Sequence, residues 1–530
     1  MTKCKWLIPI AIALLGIGGC VMGVIERARR FVLFSFFGML LAYLLYSAVL
    51  LLFWAWNKGL FQKADQSLFV SATGKQKRIL GVIMAGLILF CTLPMGLSPH
   101  WNGEVDNHRN QYEVMADSIL NGHLYMDYEV DPILASLENP YDPDLRSQSG
   151  ASYHWDHAFY QQKYYMYFGI VPVFLTFIPY RLLTGMPLTA YHATQLYAAL
   201  TILGIFALFG LLTKLFFRSL SLGRYTALST SFSAISIWYS CGFPALYCTA
   251  ATSAICLMVW SLYFFIRAVW AEPTTNRQIL SAFVGSLLGA LAFGCRPPIA
   301  LANLLVVPLL AVYLKRSKLT LRLFCKLLFA ASPYLVVAIL LMAYNDARFD
   351  NPFEFGQSYQ LTIADQTQYM NLSEALQDKR PLQALASYFF SPFIPPYYGG
   401  VLMNFPVLLL VFGVFSSSIR TELKKKQLLL FAYALLFAAL FITIIDILWS
   451  PYLIERYKMD IYFILCILSF LIICIYGALK TRNERVFDVL TYGLSYLSLG
   501  ACIVLFLLPN DSNWTYCLFD SLEKVLSSLL

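Results

Sequence analysis

The amino-acid sequence predicts an all-α fold, a polytopic transmembrane helical bundle of about 13 spans with a large outer loop that carries short surface helices. Three observations lead to this fold class. Of the 530 residues, 59% are hydrophobic, which gives a mean hydropathy of +0.65. Only 13% are charged, whereas soluble domains carry about 25%. The apolar residues are also grouped into fourteen long runs.

This composition excludes other classes of protein. A disordered chain needs low hydrophobicity, and a nucleic-acid-binding protein needs a dense basic surface. We therefore expect membrane lipids around the chain and no nucleic-acid partner.

The apolar runs are counted at about 20 residues per membrane crossing. The first run is followed by further spans and has no small-residue cleavage site, so we interpret it as a retained helix. The runs lie at 7–25, 31–56, 79–97, 166–184, 189–213, 225–241, 246–270, 279–295, 297–314, 323–344, 401–418, 427–446, 460–478 and 487–508.

Basic clusters between the runs predict which side of the membrane each loop occupies, because Lys and Arg in short loops mark the cytoplasmic side. These clusters place residues 98–165, 345–400, 447–459 and 509–530 outside. The tip of an N-terminal hairpin, Arg27–Arg30, is basic but would also lie outside, against the rule. The clusters are Lys58–Arg78, Lys315–Lys326, Arg420–Lys426 and Lys480–Arg485.

The number of crossings must be odd between the outer loop 98–165 and the inner cluster 315–326, but six apolar runs lie there. One run must therefore fail to cross, or two must form one broken helix. Broken helices are tolerated in membranes where they line a cavity inside the protein. We expect an intramembrane cavity within 166–314, a stretch interrupted by Pro172, Pro179, Pro187, Pro244, Pro297 and Pro298.

The outer loop 98–165 is acidic and rich in histidine, in a chain whose net charge is +9. It contains eleven acidic and three basic residues, a net charge of −8, and five of the six histidines. Near its start, Tyr112, Met115, Ile119 and Leu120 recur at helical spacing, and Gly122 suits the end of such a helix. We expect this short helix to lie along the membrane surface.

Glu104 and Asp106 precede this helix, close to the end of a span. A carboxylate there can act as a general base toward a hydroxyl group, and two carboxylates can bind a hard divalent cation. The alternative is that Asp106 caps the helix and Glu104 is solvated.

The end of the outer loop combines aromatic residues with one lysine. Trp155, Tyr164 and Tyr165 fit an interfacial belt, but aromatic faces also suit a sugar-binding mouth. Lys163 stands where a lipid phosphate would lie, or it extends to the headgroups. Metal ligation by His154, Asp156 and His157, together with Glu104 and Asp106, is a further hypothesis.

Several of these residues occur in an order that resembles the GT-C superfamily of membrane glycosyltransferases, which includes the protein O-mannosyltransferases and the aminoarabinose transferases. Asp106, Tyr112, Ala116 and Gly122 match the pattern of the first outer loop. The stretch Gln162–Pro172 is similar to the family's "G-[KR]-Y-Y…P-P-G", with Gly-Ile-Val-Pro in place of Pro-Pro-Gly. Three later stretches also resemble family motifs, namely Leu288–Pro297, Tyr344–Gly356 and Glu455–Asp460.

The resemblance implies a division of the chain around a catalytic module. The predicted parts are an N-terminal transmembrane hairpin (1–57), a cytoplasmic loop (58–78), a GT-C-like catalytic module (79–345), a second outer loop (346–400) and C-terminal transmembrane helices (401–530).

Four cations near or inside apolar runs are candidates for binding a lipid phosphate. Arg296 lies within an apolar stretch, where an ionisable side chain costs about 2.5–3.5 kcal/mol and is by default a functional candidate. Arg456 and Lys458 open an outer span, and Arg348 follows another. The alternatives are pairing of Arg296 with a buried acid or carbonyl, and interfacial anchoring of the other three.

These observations predict a GT-C-type glycosyltransferase, hexosyl or pentosyl, that moves a sugar from a polyprenyl-phosphate carrier to an outer acceptor. Asp106 would be the general base and Glu104 would orient it or share a metal. Lys163, Arg296 and Arg456 would bind the phosphate. The reaction would be either assisted by a divalent metal ion or metal-free, and the acceptor would be a protein, lipid or polysaccharide.

Two alternatives stay open. One is a polysaccharide polymerase or ligase that uses lipid-diphosphate sugars, and the other is a lipid-sugar flippase without enzymatic activity, for which internal repeats would be expected. No P-loop, HExxH or GxSxG motif occurs, which disfavours an ATP-driven pump and the common hydrolases. We expect the protein in a bacterial cell membrane, with its active site facing outside.

Overall fold

The structure, a computed structural model, describes residues 74–92, 111–242, 246–366, 381–391, 399–449, 455–479 and 483–507. The predicted N-terminal hairpin 1–57 lies outside the described residues, as does most of the predicted cytoplasmic loop 58–78.

The first half of the described chain contains long helices separated by a mixed segment of short elements. A π-helical turn, Val173–Phe177, leads into α5, and another, Arg267–Ala271, extends α8. The elements are α1 (Gly74–Thr92), α2 (Gln111–Leu120), α3 (Pro132–Ser136), α4 (Pro143–Ser149), β1 (Ala158–Tyr160), β2 (Lys163–Tyr165), α5 (Ile178–Thr184), α6 (Ala190–Phe216), α7 (Leu222–Gly242), α8 (Leu246–Ile266) and α9 (Thr275–Phe293).

The second half is also helical, with 3₁₀ turns at Leu301–Leu305, Pro406–Phe415 and Glu455–Lys458 and a π-helical turn at Val489–Gly493. The helices are α10 (Pro297–Ala300), α11 (Val306–Arg316), α12 (Leu321–Phe349), α13 (Pro381–Phe390), α14 (Val401–Asn404), α15 (Ser417–Lys425), α16 (Leu429–Trp449), α17 (Met459–Ala478), α18 (Glu484–Asp488) and α19 (Leu494–Leu507).

Six helices of the described part are long and apolar enough to cross a membrane, so the chain is an integral membrane protein. A seventh span results if Pro406–Phe415 and α15, which meet at 78°, count as one. A total of 13 spans is not confirmed. The six are Ala190–Phe216, Leu246–Ala271, Pro297–Arg316, Leu321–Phe349, Leu429–Leu448 and Glu455–Ala478.

Helix α7 explains part of the difference between the predicted number of spans and the number of candidate spans in the structure. It is rich in Ser and Thr, but nearly all of its residues are buried against neighbouring helices. Thr226 and Ser236 donate hydrogen bonds to carbonyls one turn earlier, those of Leu222 and Phe232. A helix surrounded by protein needs no apolar face toward lipid, so its hydropathy falls below that of a typical span.

The run predicted at 166–184 forms only a short apolar helix, Val173–Thr184. At 1.5 Å per residue it extends about 18 Å, less than the ~30 Å hydrocarbon thickness. It is the run that we expect not to cross, which would restore the odd number of crossings.

The segment 111–165 does not form an open loop but packs into a small core that it shares with later residues, among them Phe177 and Leu361. Tyr112, Met115 and Ala116 of α2 are buried, whereas Leu120 is 42% exposed, so the predicted apolar face is rotated away from it. Gly122 ends α2 with a φ of 91°, as predicted. Strands β1 and β2 form an antiparallel hairpin in which Tyr160 pairs with Lys163.

Candidate functional site

The predicted general base cannot be placed, because Glu104 and Asp106 lie outside the described residues. The helix that follows them is well defined. Tyr112 is fully buried in α2 and stacks on Phe177, with ring centroids 5.2 Å apart. Its hydroxyl makes no hydrogen bond within the described ranges and lies within electrostatic reach of Arg296. Helix α2 therefore brings segment 111–165 close to the arginine predicted inside the membrane.

Arg296 is positioned by a close backbone contact between two predicted motifs. A Cβ on Gly169 would collide with the carbonyl oxygens of Gly294 and Cys295, and the N–H of Val171 donates to Gly294 O at 2.9 Å. Helix α10 then begins at Pro297. The contact between the Gly169 and Gly294 backbones thus fixes the path of the chain between the end of α9 and Arg296.

The side chain of Arg296 forms a two-pronged ion pair with Asp460 at the start of α17. Its Nε donates to Oδ1 and Oδ2 at 2.8 and 2.9 Å, and Nη2 lies 2.8 Å from Oδ2. The side chain of Asp460 is 0% exposed. The alternative prediction, that Arg296 pairs with a buried acid, describes this contact.

Arg456 is held in a different way, by ring faces. Its guanidinium carbon lies 3.9 Å from the ring centroid of Tyr247 and 5.6 Å from that of Tyr457. No hydrogen bond or ion pair involving another residue of the described ranges reaches it. The Arg456 side chain is half-buried, so its N–H donors remain available to an anion.

Asp156 connects segment 111–165 to the ring that Arg456 covers. Its Oδ2 accepts a hydrogen bond from the Tyr247 hydroxyl, and its Oδ1 accepts one from Gln360 Nε2 at 3.1 Å. Its backbone carbonyl accepts from Gln111 Nε2 at 2.8 Å. The Asp156 side chain thus belongs to the surroundings of Arg456.

Arg296 and Arg456 lie beside the same ring, with guanidinium carbons 5.2 and 5.6 Å from the ring centroid of Tyr457, and Tyr167 is close enough for both charges to act on it. Two guanidinium groups, the carboxylates of Asp156 and Asp460, and several phenols therefore gather where segment 111–165 meets the long apolar helices. Such a site is suited to an anion with a hydroxyl-rich group attached to it.

Lys163 and Arg348 occupy other surroundings. Lys163 is exposed on β2, with Nζ 4.4 Å from the ring centroid of Tyr125. Arg348 is 5% exposed and donates to Met166 O and Asn345 Oδ1, both at 2.8 Å. Arg348 therefore ties the end of α12 to the residue after the hairpin.

The predicted aromatic residues divide between core and surface. Tyr164 is 1% exposed, and burial raises its pKa to about 12. Tyr165 packs edge-on against Phe349 at 5.2 Å. Only Trp155, which is half-buried beside Tyr153, retains an accessible ring.

The predicted metal ligands within the described ranges do not fit a metal centre. His154 stacks on Tyr128, and His157 Nδ1 lies 2.8 Å from the carbonyl of Trp155. Asp156 accepts the two hydrogen bonds given above. No cluster of three His, Cys, Asp or Glu suited to a metal occurs in the part of the chain that the structure describes. Metal binding by Glu104 and Asp106 stays a prediction.

Reasoning from the sequence missed Tyr247, Tyr167 and Gln360. Tyr247 stands at the start of an apolar run, where an aromatic residue is typical of the interfacial belt. Its polar partner Asp156 is 91 residues away, and no local pattern connects the two.

Comparisons with known proteins give remote likenesses only. No family model and no curated protein matches the chain. The crystal structure of ArnT from Cupriavidus metallidurans bound to undecaprenyl phosphate is similar over 86% of this chain and 79% of its own, with 13% identity and a TM-score of 0.46.

The archaeal oligosaccharyltransferase AglB from Archaeoglobus fulgidus, in complex with an inhibitory peptide and a dolichol phosphate, is similar over 83% of this chain, with 14% identity and a TM-score of 0.41. The likeness covers 57% of AglB itself. Both neighbours are members of the GT-C superfamily, the group that the sequence motifs resemble. With TM-scores below 0.5, these likenesses carry no argument about the activity, which has to rest on the side chains.

Proposed function

We propose that this chain is a membrane glycosyltransferase that moves a sugar from a polyprenyl-phosphate carrier to an acceptor on the outer face of the membrane. One observation carries the proposal. Arg456 is held by the face of Tyr247, with no polar partner among the described residues, at the end of a span and within the same group of residues as Arg296. A guanidinium with free donors matches a phosphate group, and one at membrane depth suits a phosphate attached to a lipid.

The chemistry follows from the charge that develops on the donor. When the acceptor oxygen attacks the sugar carbon, the bond to the phosphate breaks and the phosphate gains negative charge. Cations already fixed beside it stabilise the transition state more than the ground state. Arg456 would contact this phosphate directly, while Arg296, already bound to Asp460, would contribute its charge.

Asp106 would remove the proton from the acceptor hydroxyl, and Glu104 would orient Asp106 or share a divalent cation with it. The carboxylate must lie within hydrogen-bond reach of the hydroxyl proton to act as a base. The sugar, hexosyl or pentosyl, and the acceptor, a protein, lipid or polysaccharide, belong to the same proposal.

The finer topology is proposed with it. It comprises about 13 spans at roughly 20 residues each, the segment 98–165 outside and a bacterial cell membrane. Single cysteines at positions 163 and 326, in a variant whose twelve native cysteines are replaced by Ser, test the orientation. A membrane-impermeant thiol reagent added to intact cells should label the cysteine at 163 and not the one at 326.

Sugar transfer in proteoliposomes tests the activity. Labelled polyprenyl-phosphate sugars are supplied with a membrane extract as acceptor, and new glycosidic bonds are counted for the wild type, Asp106→Asn and Arg456→Gln. Both variants should lose at least tenfold in rate. Arg224→Gln, which removes the ion pairs of Arg224 with Glu484 and Asp488, should not. Wild-type transfer by Asp106→Ala would refute the assignment of the base.

The same vesicles separate the alternatives. Transfer only from lipid-diphosphate sugars would identify a polymerase or ligase. Movement of the lipid across the bilayer without a new bond would identify a flippase.

A further inference from the structure

Asp156 and Tyr247 form a chain of contacts that leads to the guanidinium of Arg456. The Tyr247 hydroxyl donates to Asp156 Oδ2, and the face of the same ring lies 3.9 Å from the guanidinium carbon of Arg456. Asp156 is also close enough for its charge to act on Arg456. The carboxylate and the guanidinium are thus partners through an aromatic ring and share no direct ion pair.

We infer that Asp156, acting through Tyr247, positions Arg456 for the phosphate of a lipid carrier and keeps its N–H donors free. This inference rests on the proposed function. Asp156 and Tyr247 are positioning residues in it, because they act through Arg456.

The contrast with Arg296 gives the physical reason. Asp460 holds Arg296 by its edge: Nε donates to both carboxylate oxygens, and Nη2 lies 2.8 Å from Oδ2, so this edge of the guanidinium faces a carboxylate of the protein. Arg456 is held by its face, which leaves the in-plane donors of the guanidinium unoccupied. A phenol that donates to a carboxylate has a more electron-rich ring, and such a ring attracts a cation more strongly.

The backbone around Asp156 keeps this carboxylate in place. Its N–H donates to Leu361 O at 3.0 Å, and the N–H of Leu361 donates to His157 O at 2.9 Å. Asp156 itself has a φ of 58°, a left-handed conformation that Asp and Asn adopt more readily than other side chains. The positioning of Arg456 therefore depends on the contact between segment 111–165 and residues 360–361.

The chain offers a matched control pair. Asp350 also has a left-handed conformation, with a φ of 54°, and it accepts hydrogen bonds from Tyr160 Oη at 3.2 Å and Gln161 Nε2 at 3.0 Å. Asp156 and Asp350 thus have the same backbone conformation and the same types of donor. Tyr160, however, covers no arginine among the described residues.

Undecaprenyl phosphate in detergent is the probe, and thermal unfolding followed by intrinsic fluorescence is the measurement. The wild type should be stabilised by undecaprenyl phosphate and not by undecaprenol. Tyr247→Phe and Asp156→Asn should each weaken the apparent affinity about tenfold, which corresponds to ~1.4 kcal/mol. Tyr160→Phe and Asp350→Asn should leave it unchanged.

The background of Arg456→Gln distinguishes positioning from a merely structural effect. If the two residues act through Arg456, Tyr247→Phe and Asp156→Asn should have no further effect on affinity there. Equal effects in both backgrounds, or full affinity in both single variants, would overturn the inference alone. A wild type that undecaprenyl phosphate does not stabilise would instead refute the phosphate site of the proposed function. Tyr247→Phe removes only a hydroxyl, so it provides the answer if Asp156→Asn fails to fold.

Discussion

Asp460 holds Arg296 with both carboxylate oxygens, at 2.8 and 2.9 Å from Nε, across 164 residues of sequence. The pair joins the end of α9 to the start of α17, two helices of different halves of the chain. Because the Asp460 side chain is 0% exposed, neither charge can be moved into water without displacing a helix. The pair therefore holds these two parts of the chain together at the candidate site.

Replacing Asp460 by Asn should destabilise the protein strongly. The change removes the carboxylate that binds Arg296 directly and leaves Asp446 to act on it only without a direct contact. Breaking a buried ion pair typically costs about 3–5 kcal/mol. Thermal unfolding in detergent measures the effect. Asp488→Asn is the control, because the Arg224–Asp488 pair is exposed at its acidic end and such pairs contribute about 0–1 kcal/mol. Equal unfolding temperatures for both variants would contradict a structural role for the Arg296–Asp460 pair.

Replacing Gly169 by Ala should displace Arg296. The new Cβ would meet two backbone carbonyl oxygens, and the one of Cys295 would lie at 2.5 Å. Backbone atoms cannot rotate aside, so the Val171–Gly294 contact must open. We expect a lower unfolding temperature and weaker lipid-phosphate binding. Gly86→Ala is the control, since nothing lies within 4 Å of a Cβ there and Ala favours a helix. A Gly169→Ala variant as stable as Gly86→Ala would exclude this close packing.

The sequence predicted which residues carry charge into the membrane, but not what they contact. Arg296 was identifiable because a charge inside an apolar run is costly and therefore informative. Its partner Asp460 opens another apolar run, and choosing between a buried acid and a bound phosphate required the three-dimensional pairing. Gly122 was predicted correctly because helix ends have a local sequence signal.

Other features have no local signal. Tyr247 is one of 34 tyrosines, and its importance comes from the two groups on either side of it. Lys163 follows the family pattern, yet the hairpin register exposes it beside Tyr125, because residues 160 and 163 pair across the turn. In a hairpin the turn sets the register, and the family motif says nothing about this turn, so the motif alone does not locate the side chain.

Stability should depend on pH through Glu113, which lies on helix α2. Burial raises the pKa of this carboxyl to about 7, and the charge of Asp117 also raises it, although the Ala190 N–H donates to the carboxyl and lowers it. Because the folded state holds this proton more tightly than the unfolded chain, Glu113 stabilises the fold most below about pH 4.5. The contribution of Glu113 to the free energy of unfolding is lost as the pH rises through about 7.

Unfolding temperatures at pH 5 and pH 8 test this dependence. Glu113→Gln should remove part of the decline toward pH 8, whereas Glu138→Gln, at an exposed position, should leave the wild-type pH profile unchanged. Identical profiles for the wild type and Glu113→Gln would contradict the prediction.

Arg348 and Arg456 should respond in opposite ways to removal of their charge, because one is bound by the protein and the other is not. Arg348→Gln removes hydrogen bonds to Met166 O and Asn345 Oδ1 from a residue that is 5% exposed. Hydrogen bonds of charged groups contribute about 1.5–3 kcal/mol each. We therefore expect a lower unfolding temperature without ligand and a retained shift on adding undecaprenyl phosphate.

Arg456→Gln should retain the unfolding temperature of the ligand-free wild type, because it breaks no hydrogen bond or ion pair within the described ranges. At the same lipid concentration it should show only a small fraction of the wild-type shift, so that its weakened affinity is still measurable at higher lipid concentration. Both variants are measured in one titration of the lipid, with undecaprenol as the blank. A lost shift in Arg348→Gln together with a full shift in Arg456→Gln would reverse the assignment and make Arg348 the phosphate ligand. We expect the opposite pattern, since Nη1 and Nη2 of Arg348 already donate to Met166 O and Asn345 Oδ1, whereas Arg456 makes no hydrogen bond within the described ranges.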